Sequence, residues 1–94
     1  MGFNEAKKLI IRALQEGKYQ HEARDDIDNK NLLNAGEVSA DELLDVIKRC
    51  NGTHHSTSVH HFDETIEIHI LKRDSWYIKF YFIDPDTYFI SVHK

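Results

Sequence analysis

The sequence contains one cysteine and only short apolar runs, and each scarcity excludes a class of structure. A single thiol, Cys50, cannot form a disulfide within the chain or build a zinc site from several cysteines. A membrane-spanning helix needs about 20 consecutive apolar residues, and the sequence has no such stretch. The segment Met1–Glu16 is charged throughout and lacks the apolar core of a signal peptide. We therefore expect a cytoplasmic protein with no membrane partner.

Positive charge is also scarce for a protein that would bind nucleic acid. The 12 Lys and Arg residues are outnumbered by 16 Asp and Glu residues, which gives a net charge of −4 with neutral histidines. Nonspecific binding to phosphates needs clustered cations, so this balance argues mildly against it. Histidine is abundant, with 7 in 94 residues. Adding seven positive charges to −4 gives +3, so the sign of the net charge depends on pH near 6, where free histidine titrates.

The N-terminal half has the apolar spacing of helices. From Phe3 to Leu14 the apolar residues recur at intervals of three and four, and Gly17 follows where a helix would end. Ser39 and Glu42 have the spacing of a capping box, which predicts the start of another helix. A weaker helical segment is predicted around residues 27–33, although its acidic surroundings fit a solvated loop equally well.

After Gly52 the apolar residues recur at every second position, which is the spacing typical of strands. Strands are predicted at Ser58–Phe62, Thr65–Leu71, Trp76–Ile83 and Tyr88–His93. With 94 residues there is room for one core, so residues 1–94 should form a single domain. We expect an α+β fold, with N-terminal helices packed on one face of a C-terminal antiparallel sheet of three to four strands.

The alternation within the strands assigns their side chains to the two faces of the sheet. The residues expected to face the helices are Ile66, Ile68, Ile70, Trp76, Ile78, Phe80, Phe82, Tyr88, Ile90 and Val92. The opposite, open face then carries proton donors, proton acceptors and a cation, namely His60, Glu67, His69, Tyr77, Lys79, Tyr81 and His93. A slip of one residue in the strand register would exchange His60 with His61 on this face.

Three chemistries could use such a face. Metal binding is one, because histidines are dense from His54 to His69. However, the sequence contains no zinc motif, and adjacent histidines on a strand point to opposite faces of the sheet. We therefore predict no metal site. Nucleophilic catalysis by Cys50 is disfavoured because this residue lies on the buried stripe of a helix. The third is metal-free cleavage of a phosphodiester. It needs a base for the ribose 2′-hydroxyl, an acid for the leaving 5′-oxygen and a cation for the phosphorane.

Six segments occur in an order typical of a known family: Ala6–Ile10, Leu32–Ala35, Leu44–Ile47, Asp63–Ile66, Tyr77–Lys79 and Ile90–Lys94. In this order the chain resembles the MqsR-type toxins of bacterial toxin–antitoxin pairs, which belong to the RelE-like group of small α+β ribonucleases. The similarity runs over most of the chain and is best in the last strands. It implies a metal-independent mRNA endonuclease without a cofactor, and a protein antitoxin as its partner.

The resemblance also implies positions for site residues. Tyr77 lies where the family has a tyrosine on the penultimate strand, and Lys79 matches the lysine two residues on. His93 occupies the position of an active-site lysine near the C-terminus. The segment His55–His61 replaces a family segment that contains lysine and tyrosine. At two places, therefore, this sequence has histidine where the family has lysine.

The prediction is a toxin-type ribonuclease that cleaves single-stranded RNA, in particular mRNA, and leaves a 2′,3′-cyclic phosphate and a 5′-hydroxyl. His60 or Glu67 is assigned as the base and His93 as the acid. Lys79 is assigned to hold the phosphate and Tyr77 to position it. The residues assigned to substrate binding are His69, Tyr81, Lys72 and Arg73. Two alternatives stay open: a non-catalytic module, such as a phage or mobile-element inhibitor, that binds a protein, and a histidine-rich metal-binding protein.

Overall fold

A computed structural model describes residues 1–22 and 31–94, which form two α-helices, a short 3₁₀-helix and a five-stranded sheet. In chain order the elements are α1 (Phe3–Glu16), β1 (Gln20–His21), α2 (Ala40–Arg49), the 3₁₀-helix (Gly52–His54), β2 (His55–Val59), β3 (Glu67–Arg73), β4 (Trp76–Ile83) and β5 (Asp86–His93). The predicted α+β class, with N-terminal helices and C-terminal strands, is confirmed. The sheet has five strands rather than three to four.

The sheet is mixed, and its strand order is β1-β5-β4-β3-β2. β1 runs parallel to β5, while the other neighbouring strands pair antiparallel. The sequence analysis missed β1 because a strand of two residues has no measurable alternation. β2 begins at His55, three residues before the predicted start at Ser58. The weak helical segment predicted around residues 27–33 lies largely outside the described residues, and residues 31–36 form a turn.

α1 forms where the apolar stripe predicts a helix. Ala6, Ile10 and Leu14 are buried on one side of it. Gly17 ends the helix with a φ of 67°, a left-handed conformation that glycine adopts without a Cβ clash. The buried stripe packs against α2 and the sheet.

α2 begins at the predicted cap. Ser39 Oγ accepts a hydrogen bond from the backbone N–H of Glu42 at 3.1 Å. Val38 and Leu43, which occupy the N′ and N4 positions of a hydrophobic staple, are buried in the same core cluster. At the other end of α2, Lys7 of α1 donates from Nζ to two carbonyl oxygens at 2.9 and 2.8 Å. The cap and this cation therefore satisfy backbone groups at both ends of the helix.

Ser39→Ala should lower the free energy of unfolding by about 1 kcal/mol, because the variant has no side-chain oxygen to accept from the Glu42 N–H. Urea denaturation monitored by circular dichroism measures this difference. Ser39→Asp, which keeps a side-chain oxygen acceptor at the cap, is the matched control and should change the midpoint much less. An unchanged midpoint in Ser39→Ala would show that this hydroxyl does not stabilise α2.

The hydrophobic core lies between the two helices and one face of the sheet. Trp76, Ile78 and Phe80 of β4 are buried there, as predicted. On β3 the residues that face the helices are Leu71 and His69, the latter stacked on Phe80.

The predicted face assignment of β3 is therefore wrong. The isoleucines expected in the core lie on the second face of the sheet, opposite the helices. They belong to a small second-face cluster, whose members are Ile66, Ile68, Ile70, Tyr81, Tyr88 and Ile90. Glu67 and His69, which were predicted to lie on the open face, are on the helix side. The alternation is as predicted, but the faces are exchanged.

A β-bulge changes the assignment within β5. Lys79 pairs with Ser91, whereas the next residue of β4 pairs with Phe89, so Ile90 is the extra residue of the bulge. Phe89 is buried in the core, whereas Tyr88 and Ile90, which were predicted to face the helices, lie in the second-face cluster. After the bulge, Val92 faces the helices as predicted.

Candidate functional site

Four predicted site residues lie together at one end of the second face, on the three central strands of the sheet. Tyr77 on β4 is opposite His93 on β5, and the two rings stack with their centroids 5.2 Å apart and their planes inclined by 16°. Lys72 on β3 is the other cross-strand neighbour of Tyr77, and its Nζ lies 5.5 Å from the centroid of the tyrosine ring. Lys79 follows Tyr77 on the same face of β4. These residues, Lys72, Tyr77, Lys79 and His93, form the corner site.

The turn between β3 and β4 fixes this arrangement. Asp74 and Ser75 have φ values of 50° and 67°, the positive values that a tight two-residue hairpin turn requires. The turn places Lys72 directly opposite Tyr77. Arg73, the residue before the turn, lies on the helix side, where its guanidinium donates to a carbonyl oxygen at the end of α2. Arg73, which was predicted to bind substrate with Lys72, therefore extends from the other face of the sheet, although both residues line a cavity of about 330 Å³ at the turn.

Lys79 connects the corner site to a cavity on the second face. Two residues along a strand separate it from Tyr77, a distance of about 7 Å between their Cα atoms. The cavity has a volume of about 340 Å³ and is lined by Val59, His61, Ile68 and the half-buried Lys79. A long lysine side chain here can point toward either the cavity or the corner site.

His60 belongs to a second polar cluster, which the sequence analysis did not identify. Its Nε2 lies 2.5 Å from Glu22 Oε1, and the Tyr81 hydroxyl donates to the same oxygen at 3.1 Å. The His60 Nδ1 accepts from the backbone N–H of Phe62 at 3.1 Å, so Nε2 carries the ring proton and donates it to Glu22. His60 is buried, and both of its ring nitrogens are bonded. This arrangement favours a structural histidine over a catalytic base.

The His60 cluster and the corner site are also far apart. Tyr81, which shares Glu22 with His60, is four residues along β4 from Tyr77. That spacing corresponds to about 13 Å along a strand. A single phosphate bound at Tyr77 would therefore not reach His60.

Glu67 and His69 lie on the helix side of the sheet. His69 is 1% exposed, its Nδ1 lies 3.0 Å from His55 Nε2, and its Nε2 lies 3.4 Å from Glu67 Oε1. The Met1 ammonium group is 3.3 Å from the same Glu67 oxygen. The sheet separates all of these groups from the corner site. Neither the predicted base Glu67 nor the predicted pocket residue His69 can contact a substrate bound there.

Three described histidines have pKa values below the usual range. Burial lowers the pKa of His69; the Glu67 carboxylate opposes this effect and His55 adds to it. Burial also lowers the pKa of His55 and of His21, whose Nδ1 is bonded to the Asn31 amide at 2.9 Å. A hydrogen bond between two histidine rings needs one unprotonated nitrogen, so the contact between His55 and His69 disfavours the state in which both rings are protonated.

The free energy of unfolding should fall as the pH decreases below about 6.5. In this range an unfolded histidine binds a proton that the folded His69 resists, so protonation favours the unfolded chain. One such histidine contributes a slope of at most about 1.4 kcal/mol per pH unit. Urea denaturation between about pH 7 and pH 5 measures the slope.

The variant His69→Gln should have a shallower slope than the unchanged chain, because it lacks this titrating group. The control Gln15→Ala changes an exposed side chain that does not titrate, so it should retain the full slope. Equal slopes in the unchanged chain and in His69→Gln would contradict the lowered pKa.

Comparison of the chain with protein-family models, with curated proteins and with solved structures found no match. Within residues 1–22 and 31–94, no group of three or more His, Cys, Asp or Glu side chains is arranged to hold a metal ion. In the same part of the chain, no helix is both long and apolar enough to cross a membrane.

Proposed function

We propose that the protein is a metal-independent endoribonuclease that cleaves single-stranded RNA at the corner site. The observation that carries this proposal is the Tyr77–His93 stack, with the Lys72 ammonium group 5.5 Å from the centroid of the tyrosine ring and Lys79 two residues along β4. An aromatic surface beside cations is the usual platform for single-stranded nucleic acid. The resemblance to MqsR-type toxins, based on the same strands, supports the same activity.

The corner site contains groups for both parts of a nucleotide. A base can stack on an aromatic ring, a contact worth about 1–3 kcal/mol at single-stranded sites. Lys72 and Lys79 can bind the phosphate, because they extend from neighbouring strands on the same face of the sheet as Tyr77. Lys72 and Lys79 thus provide clustered positive charge at this corner despite a net charge of −4 for the whole chain.

The reaction forms a bond between the 2′-oxygen and phosphorus and breaks the bond between phosphorus and the 5′-oxygen. His93 in its protonated form donates a proton to the leaving 5′-oxygen, and the proton of the 2′-hydroxyl passes to solvent. Lys72 and Lys79 stabilise the negative charge that develops on the phosphorane oxygens. Tyr77 positions the nucleotide. The products are a 2′,3′-cyclic phosphate and a 5′-hydroxyl.

Incubation of the purified protein with a defined single-stranded RNA in EDTA tests the activity. Cleavage in EDTA with a cyclic phosphate on the upstream product is expected. A substrate with a 2′-deoxy nucleotide at the cleaved position should not be cut, because the attacking hydroxyl is absent. Intact RNA at high protein concentration, or equal cleavage of the 2′-deoxy substrate, would contradict the proposal.

A toxin role with a protein antitoxin is part of the same proposal, and the family resemblance is its support. Expression of the unchanged chain in a bacterial host should arrest growth, and His93→Ala should relieve the arrest. A small open reading frame adjacent to the gene should encode a protein that also relieves it. Normal growth during expression of the folded, unchanged chain would contradict the toxin role without excluding RNA cleavage in vitro.

A further inference from the structure

The outer edge of β2 has none of the usual protection of an edge strand. β2 is the last strand of the sheet, and in the described part of the chain its only strand neighbour is β3. Its sequence, His55-Ser56-Thr57-Ser58-Val59, contains no proline, no lysine and no acidic residue. Proteins usually place such residues, or a bulge, on an exposed edge to prevent it from pairing with another strand. The outer edge of β2 is therefore suited to pair with a further strand.

The sequence of β2 is complementary to itself. In an antiparallel pair centred on Thr57, this threonine lies opposite the same residue of a second copy, and Ser56 lies opposite Ser58. Threonine and serine pairs are favourable across neighbouring antiparallel strands. A two-fold axis at Thr57 uses the same residues on both copies, as a closed dimer requires. With neutral histidines, the pairing places no like charges opposite each other.

Exposed apolar side chains lie at the end of β2 and just after it in the sequence. Phe62 is 82% exposed and Val59 is 64% exposed, the two largest values among the large hydrophobic side chains of the described residues. Around the same two-fold axis, Val59 lies opposite His55 of the second copy. The His55 ring already contacts Phe3, at 5.5 Å between centroids, so Val59 would lie beside apolar surface there. Association would then remove from water an apolar side chain that the single chain leaves exposed.

We propose that two copies of this chain pair through β2, antiparallel and centred on Thr57, to form one continuous ten-stranded sheet. The corner site lies on β3, β4 and β5, so the pairing leaves it accessible. The inference does not depend on the proposed ribonuclease activity, because no residue of the corner site takes part. The two proposals can therefore fail separately. A monomer that cleaves RNA would contradict only the dimer, and a dimer that does not cleave RNA would contradict only the ribonuclease activity.

Sedimentation velocity over a range of protein concentrations tests the proposal. The unchanged chain should form a species of twice 11.0 kDa as the concentration increases. Thr57→Lys and Thr57→Glu should each be monomeric, because the two-fold axis places equal charges opposite each other. Gln15→Lys adds the same charge to an exposed position of α1 and should still dimerise. Circular dichroism verifies that each variant is folded; Thr57 is exposed, so both substitutions should be tolerated.

An equimolar mixture of Thr57→Lys and Thr57→Glu provides the sharper result. Lysine on one copy then lies opposite glutamate on the other, so the mixture should form a heterodimer although neither variant dimerises alone. A mixture that stays monomeric, or single variants that dimerise like the unchanged chain, would overturn the two-fold axis at Thr57. An unchanged chain that is monomeric at every concentration would overturn the proposal. A strand of another protein would then be the candidate partner for the edge of β2.

Discussion

His93→Gln should reduce RNA cleavage by about 10²–10⁴-fold, the usual contribution of a positioned proton donor. Glutamine is polar and of similar reach, but it does not titrate and cannot supply a proton to the leaving 5′-oxygen. The alkaline limb of the pH–rate profile, where loss of the protonated acid limits the rate, should disappear in the variant. Single-turnover cleavage of a defined RNA as a function of pH measures both effects.

A second substitution separates proton transfer from stacking. His93 stacks on Tyr77, so His93→Gln also loses an aromatic pair worth about 0.5–1.5 kcal/mol. His93→Phe retains a ring for the stack but has no proton to donate. It should bind a non-cleavable 2′-deoxy substrate about as well as the unchanged chain and cleave RNA as poorly as His93→Gln. Full cleavage by His93→Phe would remove His93 from the chemistry.

The pH profile also tests whether a second histidine takes part. A bell-shaped profile with two histidine limbs would need a histidine base together with the acid. The predicted base His60 lies in the Glu22 cluster with both nitrogens bonded, so His60→Gln should not remove a limb. It should lower stability instead, because it breaks a buried hydrogen bond to a carboxylate. Loss of cleavage in a folded His60→Gln would restore this residue as the base.

The helices were predictable because their signals are local. Gly17 follows the apolar stripe of α1, and Ser39 precedes that of α2 at the spacing of a capping box. Each signal depends on residues within a few positions of one another. These contacts form wherever the helix lies in the fold, so a sequence pattern identifies them.

The strand faces were not predictable in the same way. Alternation establishes that Ile66, Ile68 and Ile70 share one face, but it does not specify which face the helices cover. On β3 the helices cover the face of Leu71 and His69, and burial of the histidine is made possible by its ring contacts with Phe80 and its hydrogen bond to His55. On the second face, neighbours from other strands bury Ile68 and partly bury Ile66 and Ile70.

Sequence patterns are local, and this explains which site residues could be predicted and which could not. Tyr77, Lys79 and Tyr81 were placed on the correct face because β4 alternates strongly between aromatic core residues and polar ones. Glu22 was missed because its partners, His60 and Tyr81, are distant in sequence and meet it only in the folded chain. No local pattern marks such a residue.

Ile68→Ala should lower the free energy of unfolding by about 2–5 kcal/mol, because Ile68 is 2% exposed and its truncation leaves a cavity. The cavity would form on the second face, beside Tyr81 and Ile90, rather than under the helices. Ile83→Ala is the matched control, since it deletes the same atoms from a residue that is 46% exposed, and it should cost less than about 1 kcal/mol. Urea denaturation measures both differences.

Double-mutant cycles identify the face on which Ile68 packs. Ile68→Ala and Ile90→Ala remove two members of the second-face cluster, so their effects should be coupled by about 0.5–3 kcal/mol. Val46→Ala opens the core on the helix side, so its effect should add to that of Ile68→Ala within about 0.5 kcal/mol. Coupling of Ile68→Ala to Val46→Ala, without coupling to Ile90→Ala, would show that the isoleucines of β3 pack against the helices. Glu67 and His69 would then lie on the same face of the sheet as Tyr77, as the sequence alternation predicted.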